Sequence, residues 1–321
     1  MENRLIVSSS PHVQSTTKVS TIMRDVIIAL LPATFAGIYY FGMPALINII
    51  VSILGAVAAE FLVQKAMKRK VTISDLSAVV TGLLLAMNVP PSLPWWITLI
   101  GSAFAIVLAK QVFGGLGHNF INPALAARAM LLASWPVQMT TWSAPGADAI
   151  STATPLALIK GATDTVISNG SGAVSMMDLF IGRTGGCIGE TSAVLLLLGG
   201  IYLIYRGVIS YHIPVVYMAT VYILTTIFSG MDFTMGLYNI LSGGLFLGAF
   251  FMATDWVTSP ISRKGRIIYA LGLGILTSLI RLRGSYIEGV CYSILIMNML
   301  TPLIDSFTRT TPFGGGAMGR E

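Results

Sequence analysis

Residues 76–91, LSAVVTGLLLAMNVPP, decide the fold of this chain, because their apolar run is too short to cross a membrane. The run ends at Pro90 and Pro91 after about 14 residues, and an α-helix of that length covers only about 20 Å. The hydrocarbon core of a bilayer is about 30 Å thick. A second run, at 123–135, is similarly short. Helices that stop inside a membrane need ends that are buried or line a cavity, so both runs predict half-spanning helices of this kind.

The composition of the whole chain is that of a membrane protein. Hydrophobic residues fill 55% of the 321 positions, charged residues fill only 10%, and the mean hydropathy is +0.80. Such a chain cannot be a water-soluble globule, so we expect an all-α, polytopic membrane protein with about ten transmembrane or half-spanning helices. The apolar runs that predict these helices lie at 24–41, 44–63, 76–89, 95–113, 123–135, 192–205, 213–229, 236–253, 267–281 and 288–305.

The positions of the charges predict the orientation. Residues 1–23 contain no apolar signal-peptide core, so we expect a cytoplasmic N-terminus. With ten segments both termini are cytoplasmic, and all but four of the 19 Lys and Arg residues fall on that side. The four exceptions are Lys160, Arg183, Arg281 and Arg283. This asymmetry predicts a multi-pass protein of the cell membrane with residues 136–191 outside the cytoplasm, and it explains the net charge of +6 without a nucleic-acid partner.

The chain is similar to itself at an offset of about 165 residues. Residues 77–88 align with 242–255, and residues 117–122 align with 283–288. Because the offset covers an odd number of segments, the copies would have opposite orientations, which is the inverted-repeat plan of many transporters and channels. Chance similarity between glycine-rich apolar runs is the alternative. The predicted regions are a cytoplasmic segment at 1–23, five-helix repeats at 24–135 and 192–305, an extracytoplasmic loop at 136–191 and a cytoplasmic tail at 306–321.

Polar residues inside the repeats form a candidate ion path. Asp255 and Glu288 of the second copy lie opposite Asn88 and Asn122 of the first. Where broken helices meet, carboxylate, amide and free carbonyl oxygens can hold a cation between them. The alternative is that such side chains cap helices or lie at the membrane interface. Three further carboxylates, to which the same alternative applies, are Glu60, Asp75 and Asp305.

The sequence contains little that indicates a metal site or a catalytic residue. Cys187 and Cys291 form no CxxC pair, and the three histidines have no ligand spacing, so we expect neither an iron–sulfur cluster nor a zinc ion. A GxGxxG motif in a strand–helix setting is also lacking, so we do not expect this chain to bind NAD.

The polar interval contains the sequence DAISTATP at 148–155. Small and hydroxylated residues before a proline are typical of a turn or a helix N-cap, which is the simplest interpretation. The same residues also present hydroxyl groups for covalent modification, and the rest of the chain favours that second interpretation.

Seven short motifs, taken together, connect the chain to a known family. They are SSPH at 9–12, IMRDV at 22–26, DLSAVVTGLLLAM at 75–87, FGGLGHNFINPA at 113–124, FMATD at 251–255, EGV at 288–290 and MN at 297–298. In these motifs, and over nearly its whole length, the chain resembles the D subunits of Rnf-type ferredoxin:NAD oxidoreductase complexes. Those proteins are related to the B subunit of the sodium-translocating NADH:quinone reductase.

The resemblance implies an FMN that an extracytoplasmic flavin transferase joins through its phosphate to a threonine hydroxyl. The family motif is Asp-x-x-Ser/Thr-Gly/Ser/Ala-Ala-Thr, and residues 148–154 fit it, except that Thr152 stands where glycine is common. Asp148 begins the motif and Thr154 ends it, so Thr154 is the expected attachment residue. Thr152 is the alternative and Ser151 is a third hydroxyl. The resemblance also suggests a second, noncovalent flavin such as riboflavin.

By the same resemblance, the chain is a non-catalytic membrane subunit of a translocase that passes electrons from reduced ferredoxin to NAD and exports Na⁺ or H⁺. Its expected partners are the other subunits, of the A, B, C, E and G types, and membrane lipid. The alternative is a solute channel or secondary transporter of urea-transporter-like architecture, in which the repeats enclose a permeation path and Thr154 belongs to a surface loop. The long polar interval favours the flavin protein, because loops of that length are usually functional or disordered.

Overall fold

The computed structural model describes residues 18–143, 154–157, 175–190, 192–284, 286 and 288–309, and the regular elements of these residues are helical, as predicted. In chain order the helices are α1 (Val19–Ala66), α2 (Ser77–Met87), α3 (Trp95–Ile106, continued by a π-helix at Val107–Gln111), α4 (Pro123–Ser134), α5 (Pro136–Met139), α6 (Met176–Ile181), α7 (Ala193–Tyr205), α8 (His212–Phe228), α9 (Phe233–Leu241), α10 (Leu245–Leu247, continued by a π-helix at Gly248–Met252), α11 (Arg263–Arg283) and α12 (Val290–Phe307). Short 3-10 turns lie at Ile73–Asp75 and Ile188–Glu190.

The helix lengths are those of a multi-pass membrane protein. Helices α1, α11 and α12 are long and apolar enough to cross a bilayer, and α9 with α10 forms a pair, bent by 68°, that passes the same test together. Helices α2 and α4, with 11 and 12 residues, are the two short helices that the sequence predicts. They cover about 18 Å at most, so neither can cross a hydrocarbon core of about 30 Å.

The first two predicted segments form the two arms of α1. Gly42 separates the arms with φ +66° and ψ −146°, values outside the helical region. Val26 of the first arm lines a cavity with Lys110, and the Glu60 carboxylate of the second arm lies 2.9 Å from the Lys110 ammonium. In a straight helix Val26 and Glu60 would be about 50 Å apart. The arms therefore fold back on each other at Gly42.

The short helices end close together in the interior. Asn122 caps α4, because its Oδ1 accepts two backbone N–H groups of the first turn at 3.1 and 3.3 Å. Pro123 takes the first helical position, where a missing N–H has no cost. Asn122 Nδ2 also donates to the Met252 carbonyl, at the end of α10, at 3.5 Å. Asn88, at the end of α2, lies 3.6 Å from Met252 Sδ. Three broken or short helices thus meet at one interior point.

Three of the cations that were used to predict the orientation are buried. Lys110, Arg128 and Arg281 are 2%, 7% and 3% exposed. These three residues therefore do not bear on the predicted orientation, because burial does not say on which side of the membrane a side chain lies. The charge asymmetry rule applies to loop residues that remain in water, whereas these three side chains have partners inside the protein.

Candidate functional site

Thr154 lies directly before a helical turn at 155–157 and is buried, with 6% of its surface exposed. Its Oγ1 accepts a hydrogen bond from the Ala157 N–H at 3.2 Å, so the hydroxyl caps the turn. The simplest interpretation of the motif, a helix N-cap, is thereby confirmed for Thr154. The other predicted residues of the motif, Asp148, Ser151 and Thr152, lie outside the described residues.

A cavity of about 340 Å³ lies beside Thr154, which forms part of its wall. The other walls come from α4, α5, α12 and the break between α9 and α10, and they include the aromatic residues Trp142, Tyr286 and Tyr292. Pockets for small molecules usually begin at about 300 Å³ and combine apolar walls with a few placed polar groups. This cavity has that character, so Thr154 is both a helix cap and part of a ligand-sized space.

Arg128 is the principal cation of this cavity. Its guanidinium pairs with the Glu288 carboxylate, donates to Asn88 Oδ1 at 3.2 Å and contacts Cys187 Sγ at 3.7 Å. Glu288 also accepts the Gly244 N–H at 2.6 Å. These bonds join the end of α2, the middle of α4 and the residues before α12. A buried ion pair needs additional hydrogen bonds of this kind to offset its desolvation.

A second buried arginine stabilises the break between α9 and α10. Arg281, in α11, donates to the carbonyls of Asn239 and Ser242, the second at 3.2 Å. The end of a helix leaves such carbonyls unpaired, and a cation is favourable there. A Cβ on Gly243 would lie 3.2 Å from Arg281 Nη2 and 3.4 Å from Glu288 Oε1. The charges of Arg281 and Glu288 therefore approach the same point of the backbone.

Gly244→Ala is expected to destabilise the protein by about 1–3 kcal/mol. The added methyl group would lie 2.8 Å from Glu288 Oε1, which is held in place by Arg128 and by the Gly244 N–H. Thermal unfolding of the purified protein in detergent measures the loss. Gly272→Ala is the matched control, because its methyl group would meet only the flexible end of Met297. Equal losses in both variants would contradict the prediction.

The structure divides the four residues of the predicted ion path into two pairs. Glu288 and Asn88 both bind Arg128 at the first cavity. Asp255 and Asn122 line a second cavity, of about 390 Å³, on the other side of the meeting helices. The carboxylate of Glu288 thus already has a cationic partner, whereas Asp255 has no ion pair among the described residues.

The alternative role of Glu288 as a helix cap is wrong. Glu288 does not cap α12, because Gly289 is the N-cap and no side chain bonds the first turn. Glu60 is 1% exposed, so its carboxylate faces the interior of the protein. Its carboxylate accepts from the Lys110 ammonium at 2.9 and 3.0 Å and from Gln111 Nε2 at 2.8 Å. Both carboxylates are parts of interior networks.

Sequence reasoning missed Arg128, Glu190 and Lys110 as site residues. All three are buried or line a cavity. The signal was present, since an ionisable residue within or beside an apolar run is a functional candidate by default. The two cations were overlooked because lysine and arginine residues were interpreted only as indicators of membrane topology.

The short helices that end in the interior, together with two ligand-sized cavities, are those of a polytopic membrane protein with internal binding sites. The chain matches the model of the NQR2, RnfD, RnfE family over residues 6–314, and it belongs to that family. The resemblance found in the sequence motifs is thereby confirmed.

Three relatives, all named as D subunits, show how close the similarity is. The D subunit of the Na⁺-translocating ferredoxin:NAD⁺ oxidoreductase complex of Acetobacterium woodii is 51% identical, over 100% of this chain and 98% of its own. Its counterpart in the proton-translocating ferredoxin:NAD⁺ oxidoreductase complex of Clostridium ljungdahlii is 50% identical, over 98% of this chain and 97% of its own. The D subunit of an ion-translocating oxidoreductase complex of Stutzerimonas stutzeri is 40% identical, over 95% of this chain and 94% of its own. The first two names differ in the ion, so this similarity does not choose between Na⁺ and H⁺.

Proposed function

We propose that this chain is the D-type membrane subunit of an ion-translocating ferredoxin:NAD oxidoreductase complex and that it carries an FMN bound covalently to Thr154. It is a translocase component without a catalytic site of its own, and it assembles with subunits of the A, B, C, E and G types. The observation that carries the flavin proposal is the position of Thr154 in the wall of a cavity of about 340 Å³ that also contains aromatic side chains and a buried arginine.

The residues around the cavity fit an FMN phosphoester. The Thr154 hydroxyl would supply the ester oxygen, and the Arg128 guanidinium would oppose the negative charge of the phosphodiester. Trp142, Tyr286 and Tyr292 offer flat faces for an aromatic ring system. Bound FMN would supply the electron-transfer chemistry that ordinary side chains do not offer. The chain itself binds, orients and shields the group, and it provides a fixed electrostatic environment.

Mass spectrometry of the peptide that contains residues 148–160 tests this proposal. The chain is produced together with the flavin transferase, digested and sequenced by fragmentation. We expect the added mass of FMN, less one water, on Thr154. The same mass on Thr152 would move the attachment to the alternative residue. A second substrate of the transferase in the same cells serves as the control for its activity. If that substrate is modified and the peptide of this chain is not, the proposal is contradicted.

The second cavity is proposed to hold a noncovalent flavin such as riboflavin. Its volume of about 390 Å³ is comparable to that of the first cavity, and its lining is mostly apolar. Asn119, Asn122 and Lys110 supply polar groups on its wall. A planar ring with a polar tail suits a space of this composition.

The proposed architecture is two inverted five-helix repeats, at 24–135 and 192–305, with a urea-transporter-like plan. The order of elements supports it. The first copy consists of the two arms of α1 followed by α2, α3 and α4. The second copy consists of the corresponding elements in the same order, which are α7, α8, the broken pair α9–α10, α11 and α12. The third element is short or broken in both copies. Asn122 before α4 corresponds to Glu288 before α12.

The proposed orientation places both termini in the cytoplasm and residues 136–191 outside the cell. Exposed cations support it after the buried ones are set aside. Lys65 lies in the last turn of α1, and Lys68, Arg69 and Lys70 follow that helix; all four are exposed. Arg263 and Lys264, at the start of α11, are exposed as well. The flavin transferase would then act on Thr154 from the extracytoplasmic side.

Asp255→Asn is expected to slow ion-coupled turnover of the assembled complex about tenfold, which corresponds to roughly 1.4 kcal/mol of lost cation stabilisation. Asp255 lines the second cavity, and a carboxylate with neighbouring carbonyl oxygens can hold a cation. Ion uptake into inverted vesicles during ferredoxin oxidation measures the effect. Asp232→Asn, at an exposed carboxylate, is the control. Unchanged uptake in the Asp255 variant, with normal flavin content, would remove Asp255 from the ion path.

A further inference from the structure

Two carboxyl groups meet at the cavity beside Thr154. Glu190 ends the 3-10 turn that precedes α7, and Glu288 precedes α12; both line the cavity. A Cβ on Gly244 would lie 2.8 Å from Glu288 Oε1 and 3.6 Å from Glu190 Oε1, so the two carboxyl groups converge on one point. Their side chains lie within hydrogen-bonding reach of each other. The flavin attachment proposed for Thr154 makes no use of this contact.

A hydrogen bond between two carboxyl groups requires a proton, because two carboxylates have only acceptor oxygens. Like charges in contact away from water also disfavour ionisation of both groups. One of the two must therefore be protonated. Glu288 is paired with Arg128 and accepts the Gly244 N–H at 2.6 Å, and both partners favour a negative charge on it. The proton accordingly belongs to Glu190.

The surroundings of the pair carry a surplus of positive charge. Arg128 and Arg281 are the cations that face it, and the ionised Glu288 compensates one of them. Other titratable groups nearby are Cys187 from the segment before α7, Cys291 and Tyr292 from α12, Tyr286 before that helix and Tyr217 from α8. The phosphodiester of the proposed FMN would balance the remaining positive charge, so an additional electron in the cavity has to be offset by a shift of charge within the site.

We infer that Glu190 and Glu288 form a proton-sharing carboxyl pair, whose proton shifts when an electron brings negative charge into this cavity and thereby offsets part of that charge. This role rests on the proposed flavin at Thr154, whereas the shared proton does not. The electron comes from the redox partner of the complex. The proton moves between an oxygen of Glu190 and an oxygen of Glu288, so one O–H bond is exchanged for another and no atom is gained or lost.

Infrared spectroscopy of the full-length Thr154→Ala chain tests the shared proton without the flavin. We expect a C=O band of a protonated carboxyl group that shifts in heavy water. Because both carboxyl groups are needed, Glu190→Gln and Glu288→Gln should each abolish the band. In the second variant Glu190 is free to ionise against Arg128. Asp232→Asn, at an exposed carboxylate, should leave the band unchanged.

A band that survives in either glutamine variant would overturn the shared proton, since it would belong to one isolated acid or to a different residue. Gel filtration of each variant, and the spectrum of the double variant, separate this outcome from misfolding. In the flavin-loaded wild-type protein the band should shift on reduction, and it should not do so in Thr154→Ala. If the band of the flavin-loaded protein does not shift on reduction, the compensating role is wrong. Loss of the flavin proposal itself would instead appear as wild-type chain without covalent flavin.

Discussion

Lys110→Met is expected to destabilise the protein by about 3–5 kcal/mol, because it leaves the Glu60 carboxylate buried and unpaired. Glu60 and Lys110 are 1% and 2% exposed, so water cannot replace the lost partner. The ammonium also donates to Ser77 Oγ at 2.6 Å, and through this bond it ties α3 to the start of α2. Thermal unfolding in detergent should show a large fall in Tm.

The matched double variant separates charge from shape. Glu60→Leu combined with Lys110→Met removes both charges at once, and replacement of a buried ion pair by apolar residues is often neutral or stabilising. We expect it to recover most of the stability lost in the single variant. Lys264→Met, at an exposed lysine, should have little effect. A single variant as stable as the wild-type protein would mean that Glu60 has become neutral or has reached water.

Thr154→Ala is expected to abolish covalent flavin attachment completely, because it removes the oxygen that would form the phosphoester. Fluorescence in a denaturing gel, after production with the flavin transferase, measures the attached flavin. The substitution also removes a helix cap, which costs about 1 kcal/mol, so stability should change only slightly. Loss of fluorescence with a nearly unchanged Tm would therefore report chemistry and not unfolding.

Two further variants make this result specific. Thr154→Ser keeps the hydroxyl and the cap, so it should retain part or all of the fluorescence. Thr152→Ala should leave the fluorescence unchanged, since Thr152 is the alternative acceptor only. If the Thr154→Ala chain stays fluorescent and loses its fluorescence when Thr152→Ala is added, Thr152 is the attachment residue.

The sequence predicted the elements of the fold well, because they depend on local pattern. The apolar run at 76–89 predicted the short helix α2, and Asn122 before Pro123 is a recognisable helix start that the structure contains. The fold-back of α1 at Gly42 was also anticipated as a boundary between two segments. The break at Gly243 and Gly244 was harder to predict, since its geometry depends on Arg281 and Glu288, which come from distant parts of the chain.

The candidate site was predictable only in part. Glu288 and Asn88 were named because they are polar residues in apolar surroundings. Their common partner, Arg128, was assigned to a membrane surface, because a cation near a segment end is usually a loop residue. Only tertiary packing shows that Arg128 turns inward to Glu288, which is 160 positions away in the chain. An ion pair between residues so far apart in the chain produces no periodic pattern in a single sequence.

The ion pair of Arg128 and Glu288 also has a mechanical consequence. It joins the N-terminal and C-terminal parts of the chain, as do the pair of Asp25 with Arg206 and the bond from Asn122 to Met252. Rocking one part against the other would break the buried pair at a cost of about 3–5 kcal/mol, which would keep the opened form below about 1%. A structure this stiff is a poor starting point for alternating access, and it suits the proposed flavin carrier, which would have to keep a constant distance from its redox partners.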